Sequence, residues 1–246
     1  MILSCHAVSG GLWTGWSGPS RNGEADCSAW RMTKHSEVEI VLVRSCRTEW
    51  DETDRVCGRC QPRVCEEAFA EYRGAVAQLG ARLPRIVYSP PDDVTLASAL
   101  VLAQSVESRV RELDGLEELG LGLWEGLRRA DLRDRFPKAF RAWEEDPTSA
   151  TPPEGERIAD AADRLTETLS RAIQRTKEER VGVVLRTLSM GIVRCTLRRQ
   201  PLSGLWSEVR ATPLIEVFRI NRSTLFTGSE PAVSLQTIDS REPVAG

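Results

Sequence analysis

Ser45 and Cys46 stand side by side between two arginines, Arg44 and Arg47, directly behind the apolar run Val38-Glu-Ile-Val-Leu-Val43. A hydroxyl and a thiol are both nucleophiles in principle, and flanking guanidinium groups favour an anionic substrate and a thiolate. A serine hydroxyl needs a neighbouring base, and the chain holds only two histidines, His6 and His35. His35 precedes the apolar run and Ser45 follows it. At about 3.3 Å per residue of extended chain the two lie roughly 20 Å or more apart, so Ser45 has no imidazole partner.

Other groupings carry less. Cys57-Gly-Arg-Cys60-Gln-Pro-Arg63 sets a cysteine six residues before an arginine, the spacing of cysteine-dependent phosphatase loops. Such loops follow a strand and open a helix, whereas Cys57 follows loop sequence. Cys57, Cys60 and Cys65 lack a fourth metal ligand, and Cys5, His6, Cys27 and His35 match no compact zinc spacing. No metal and no cofactor is implied.

The elements that position these groups follow from pattern. Val38–Val43 reads as a strand buried on both faces, and in an open α/β sheet ligands bind just beyond the carboxyl ends of such strands. Residues 63–83 carry apolar side chains at helical spacing, Pro84–Tyr88 is a short second strand, and a helix runs from Asp93 towards Val110. Leu113–Leu127 is a glycine-punctuated loop, with charged amphipathic sequence over 128–146. Ile158–Glu179 is an amphipathic helix with Ala162, Leu165, Leu169 and Ile173 on one face. Val181–Leu185 is a third strand, Met190–Arg198 a helix, and Pro213–Phe218 and Ser223–Phe226 are closing strands. The alternation predicts a mostly parallel sheet with helices on both faces.

The chain of 246 residues, 41% hydrophobic, is long enough for one large α/β domain. Residues 1–36, rich in Gly, Ser and Trp, read as a poorly ordered extension, 37–227 as the domain, and 228–246 as a tail. Met32 is a candidate alternative start. A net charge of −3 counts against a general nucleic-acid binder, and no apolar run suits a membrane helix. The expected compartment is the cytoplasm, with the seven cysteines as thiols.

Six stretches in order resemble the histidine phosphatase (phosphoglycerate mutase-like) superfamily. Arg44-Ser-Cys-Arg-Thr48-Glu-Trp50-Asp51 is similar to the opening Arg-His-Gly-Glu-Thr-x-Trp-Asn. Arg55-Val-Cys-Gly58-Arg59 is similar to Arg-x-Gln-Gly-Arg, and Tyr88-Ser-Pro-Pro91 to Tyr-Ser-Ser-Pro-Leu. Leu116-Glu-Glu118 through Gly122-Leu-Trp124-Glu-Gly126-Leu resembles Leu-x-Glu-x-x-Phe-Gly-x-Trp-Glu-Gly-Leu. Pro152-Pro-Glu-Gly-Glu156 resembles Pro-Pro-Gly-Gly-Glu, and Ser189-Met-Gly-Ile-Val-Arg194 stands where the family has the second His and its helix.

The resemblance implies a three-layer αβα sandwich and a phosphohistidine mechanism, in which catalysis is mainly positioning and charge stabilisation. It also implies that the chemistry is impaired. The nucleophilic His is Ser45, the second His is Ser189, and the acid is retained as Glu118. The ligand-contacting positions are Arg44, Cys46 in place of Gly, Thr48, Asp51 in place of Asn, Gly58, and Val94 where a second phosphate-binding Arg is expected. These matched positions leave one cation, Arg44, against two carboxylates. Each charge lost at about 4 Å removes roughly 4 kcal/mol of attraction at an effective dielectric near 20. The sequence is therefore identified as a catalytically impaired member that binds a small anionic ligand or a protein partner, with no nucleic acid or membrane as partner and homodimers known among similar proteins. The alternative is an active phosphatase or hydrolase using Ser45 or Cys46 with Glu118.

Overall fold

The computed structural model describes residues 37–104, 108–228 and 230–239. The N-terminal extension, with its alternative start and its Cys/His grouping, lies outside the described residues. Six strands form one sheet in the order β3-β2-β4-β1-β5-β6. They are β1 (Glu37–Arg44), β2 (Ile86–Ser89), β3 (Arg109–Glu112), β4 (Arg180–Leu185), β5 (Ile215–Asn221) and β6 (Val233–Ile238). β3, β2, β4 and β1 run parallel, while β5 and β6 add an antiparallel edge.

The alternation of side chains along β1 builds two cores. Val38, Ile40 and Leu42 face one layer with Val181, Val183 and Leu185 of β4 and Phe218 of β5. Val41 and Val43 face the other, with Val184 and Val217. The first layer is covered by α4 (Arg129–Arg135), α5 (Pro137–Glu145), α6 (Ile158–Arg175) and α7 (Thr187–Leu197). The second is covered by α2 (Glu66–Ala77) and α3 (Asp93–Gln104). The short helices α1 (Glu49–Glu52) and α8 (Leu205–Arg210) complete the set. This is the expected αβα sandwich.

Three local expectations fail for identifiable reasons. The helix after Asp93 stops at Gln104, and Arg109–Glu112, charged enough to read as helix surface, is the edge strand β3. An edge strand tolerates charges that a central strand would not. Ser223–Phe226 is a turn, because Asn221 accepts the Ser223 N–H and hydroxyl in an Asx turn. The closing strand is β6, inside the segment read as a tail. Its half-exposed face hides it from a hydrophobic scan, but its backbone pairs with β5 from Ile215↔Ile238 to Arg219↔Val233.

A buried charge cluster ties α7 to α8 and β5. Arg194 donates from Nε to Glu216 at 2.9 Å and from Nη1 to the Glu208 carbonyl at 2.7 Å and Thr212 Oγ1 at 2.9 Å. Arg198 reaches the other Glu216 oxygen at 2.7 Å. This network sets the tilt of α7, and so the position of its first turn at the site.

Candidate active site

Parallel pairing puts the carboxyl ends of β1 and β4 side by side, Arg44 opposite Leu185, and the Ser45 N–H donates to the Leu185 carbonyl at 2.8 Å. The next residue of β4 is Arg186. The cavity at this end of the sheet, about 270 Å³, is lined by Arg44, Ser45, Cys46, Arg47, Thr48 and Asp51 from the first loop, Arg55, Val56 and Cys57 from the second, and Glu118. Arg129, Arg186, Thr187 and Leu188 line it further, with an aromatic wall of Trp124, Phe140, Trp143 and Trp206. That wall is rigid: Trp124 meets Phe140 and Trp143 edge-on at 5.6 and 5.8 Å, and Trp143 meets Trp206 at 5.4 Å.

Five arginines therefore face two carboxylates across one cavity. This replaces the balance of one cation against two carboxylates expected from the matched positions. Arg186 is the cation that pattern matching hid. It is buried, donates from Nη1 to the Cys60 carbonyl at 2.6 Å and from Nη2 to Cys57 Sγ. A guanidinium has five N–H groups, so these two bonds leave donors for a ligand. Burial works against its charge, while Cys57, Glu118 and Asp92 hold its pKa above the ordinary value. Burial in turn pushes the Cys57 thiol up to about 12 against the pull of Arg186, so at neutral pH the thiol is uncharged and the counter-charge comes from the carboxylates.

Ser189 lies elsewhere. It is fully buried one turn into α7, and its hydroxyl donates to Glu118 Oε1 at 2.7 Å. The motif spacing to Arg194 places Ser189 at the second-His position, and in the fold Arg186 and Thr187, which follow the end of β4, line the cavity instead. Counting from the end of β4, rather than back from the helix, would have found Arg186. Val94 also fails as a ligand position: it is buried in α3 and does not line the cavity.

Glu118 lines the cavity but is heavily engaged. Its carboxylate accepts the N–H groups of Leu119, Leu188 and Ser189 at 2.7–2.9 Å, besides the Ser189 hydroxyl. It thus caps the first turn of α7, where a negative charge is favoured by the helix dipole. Thr48 and Asp51 form a capping box on α1, both the Thr48 N–H and its hydroxyl donating to Asp51 Oδ2 at 2.7 Å. Asp51 is thereby turned towards its own helix.

Cys46 packs into the second core, and its N–H donates to Ser98 Oγ at 3.0 Å. Burial pushes its thiol up to about 11, with Ser98 and Arg73 opposing, so Arg44 and Arg47 do not activate it. Gly58 lies outside the cavity and serves a close approach: a Cβ there would stand 2.0 Å from Glu125 Oε1. That carboxylate oxygen accepts the N–H groups of Arg59 and Leu121, tying the second loop to the Gly120–Trp124 turn. Arg63, the other end of the Cys57 spacing, does not reach the cavity. Among the described residues no cluster of three or more His, Cys, Asp or Glu could hold a metal ion, and no helix is long and apolar enough to cross a membrane.

The family model for the histidine phosphatase superfamily (branch 1) matches residues 40–224, well over half of the chain. The chain belongs to this superfamily. It is 28% identical over 170 residues to phosphoserine phosphatase 1 of Hydrogenobacter thermophilus, covering 69% of this chain and 81% of that protein. It is 30% identical over 125 residues to glucosyl-3-phosphoglycerate phosphatase of Mycobacterium tuberculosis, covering 51% of this chain and 56% of that one. Among solved structures, Bacillus stearothermophilus YhfR superposes with a TM-score of 0.70 at 20% identity, over 80% of this chain and 95% of that chain. The superfamily membership and the α/β sandwich with its mostly parallel sheet stand on these matches together with the strand order.

Proposed function

We propose that this protein binds a small phosphomonoester in the arginine-lined cavity and does not form a phosphohistidine there. The supporting observation is the pair of residues at the adjacent strand ends: Ser45 after β1 and Arg186 after β4, with Arg44, Arg47, Arg55 and Arg129 around them. Five guanidinium groups offer a phosphoryl group bidentate and charge-assisted contacts. The aromatic wall offers the remainder of the ligand an apolar surface. Neither strand end offers an imidazole to attack phosphorus.

The comparisons lend more support to a second reading, because the relatives carry the names of phosphatases. It is hydrolysis with altered chemistry: Ser45 Oγ attacks phosphorus as the ester P–O bond breaks, Glu118 takes the hydroxyl proton and returns it to the leaving alkoxide, water then releases phosphate from Ser45, and the arginines stabilise charge on the transferring oxygens. Ser45 lines the same cavity as Glu118. Against this reading, the Glu118 carboxylate already accepts four hydrogen bonds, which occupy the lone pairs a base would turn towards the Ser45 hydroxyl.

Turnover of O-phospho-L-serine and a generic aryl phosphate by the purified protein, beside Ser45→Ala, Cys46→Ala and Glu118→Gln, separates the two. The binding reading expects saturable phosphoserine binding with turnover no higher than in Ser45→Ala. Turnover abolished by Ser45→Ala or Glu118→Gln would establish the hydrolase, and the absence of both binding and turnover would defeat both readings.

A further inference from the structure

A second basic cavity opens at the opposite end of the sheet. It is about 540 Å³, larger than the first, and is lined by Arg85 and Ile86 at the start of β2, Arg109 and Arg111 of β3, and Arg175, Thr176, Lys177 and Glu178 at the end of α6. β2, β3 and β4 run parallel with their carboxyl ends towards the first cavity, so this one lies at their amino ends. Five cations face a single carboxylate, Glu178.

The composition is unlike that of the rest of the surface. Elsewhere some exposed arginines find partners, as Arg47 with Glu71, Arg133 with Glu144, Arg157 with Asp160 and Arg171 with Glu167, and others such as Arg63, Arg73, Arg128, Arg141 and Arg210 do not, but those are scattered and line no cavity with one another. Arg85, Arg109, Arg111, Arg175 and Lys177 make no ion pair or side-chain hydrogen bond among the described residues. Charges on the edge strand β3 alone would be explained as protection against edge-to-edge pairing. That explanation does not reach Arg85, Arg175 and Lys177, which come from two other segments and converge on the same hollow.

The geometry within β3 is also directional. Val110 packs towards the second core, so Arg109 and Arg111 project together on the other face, about 7 Å apart along the strand. On that face lies the end of α6. The carbonyls of a helix end would ordinarily repel an anion. Here Arg222 donates to the carbonyls of Ile173 and Thr176 at 2.8 Å and to that of Glu178. The helix terminus is thereby neutralised.

We propose that this cavity is a binding site for a linear oligophosphate, distinct from the candidate active site. A concave site lined by one sign of charge focuses its field on a small anion. Arginine forks match phosphate oxygens bidentately. Five cations drawn from three segments suit an extended anion of several linked phosphates better than one orthophosphate. The volume is that of a small-molecule site, and no aromatic side chain lines it for stacking a base. Recognition therefore falls on the phosphate chain itself.

The test is calorimetric titration of the full chain with inorganic tripolyphosphate, at low salt and at physiological ionic strength. With phosphoserine in excess to occupy the candidate active site, tripolyphosphate binding is expected at one further site, weakening with salt, with orthophosphate under the same conditions at least about tenfold weaker. The double variant Arg109→Ala/Arg111→Ala is expected to weaken it at least about thirtyfold, and so is Arg175→Ala/Lys177→Ala on the facing wall. Arg186→Gln in the other cavity should leave it within about twofold, since the two lie at opposite ends of the sheet. Unchanged melting of the ligand-free variants would show that the fold is intact. The proposal is overturned by silence of the wild type, by binding that survives both double variants, or by orthophosphate binding equally well. It is also overturned if a single-stranded nucleic acid or an acidic peptide displaces tripolyphosphate at lower concentration, which would make the face a macromolecular surface.

Discussion

Arg186 is the residue on which the anion-site reading turns, so its replacement by Gln is the sharpest perturbation. Gln keeps part of the side-chain volume and an amide donor while removing the charge. The Coulomb ceiling for one unit charge at about 4 Å is roughly 4 kcal/mol at an effective dielectric near 20. Two features lower it. The cavity opens to solvent through the exposed Arg47 and Arg129, which admits screening. Two of the Arg186 donors are already committed to Cys60 and Cys57. A charge-assisted hydrogen bond is worth about 1.5–3 kcal/mol, so the expected loss is roughly 10- to 150-fold in affinity for phosphoserine or inorganic phosphate. The assay is calorimetric titration of both proteins in one buffer, with Ser189→Ala as comparison. Ser189 is fully buried and does not line the cavity, so its replacement should leave affinity within about twofold. Affinity unchanged in Arg186→Gln, with Arg44→Gln abolishing it, would refute the assignment of Arg186 to the anion site. Equal losses in Ser189→Ala would return the second-His position to Ser189.

Arg194→Met should lower unfolding free energy in urea by about 3–5 kcal/mol, because it strands Glu216 and Glu208 in the interior, and a loss below about 1 kcal/mol would contradict the network. Burial raises the Glu156 pKa, but its bonds to Arg164 at 2.7 and 2.9 Å and its attraction to Arg59 outweigh this and leave it lowered. The stability Glu156 contributes is therefore present above its unfolded value, about 4.3, and lost as pH falls through the lower folded value. Melting temperature against pH should accordingly fall less steeply below about pH 4.3 in Glu156→Gln, and superimposable acid limbs would exclude this linkage. Cys46, its thiol raised to about 11 and buried, should alkylate with iodoacetamide at pH 8 far more slowly in the native protein than in urea; fast native labelling would revive a thiolate at the site.

The fold was legible because its signals are redundant. The apolar strand Val38–Val43, the amphipathic helix at 158–179 and six ordered motifs all point to one sheet. The site was legible on the first loop, where the sequence itself supplies the order: Arg44, Ser45, Cys46, Thr48 and Asp51 all line the cavity. It was illegible wherever position depends on a contact far along the chain. Arg55, Arg129 and Arg186 meet only because the second loop bridges to the segment before α4, Val56 donating to the Leu127 carbonyl and Gly126 to that of Val56. Ser189, expected at the site from its spacing to Arg194, is buried in the first turn of α7, and Arg186, three residues earlier, lines the cavity. Arg194 is held by Glu216 and Glu208, and neither partner could be recognised before β5 and α8 were placed. β6 was missed because an edge strand is defined by the partner it pairs with more than by its own hydrophobicity.

The residues at the two strand ends, Ser45 and Arg186, bear together on the proposed binding reading. Phosphohistidine chemistry needs a group that shares electrons with phosphorus and a neighbour that can exchange protons near neutral pH. Ser45 supplies oxygen without a ring nitrogen. Arg186 supplies a charge that does not titrate in the physiological range. The Glu118 carboxylate is engaged by the first turn of α7, and Cys46 and Cys57 are kept protonated by burial. The two thiols are thus held in one protonation state, beside a cluster of five arginines that attract an anion. On the proposed binding reading these arginines hold the ground-state ester and the transition state alike, and uniform binding of this kind lowers the dissociation constant without accelerating a chemical step.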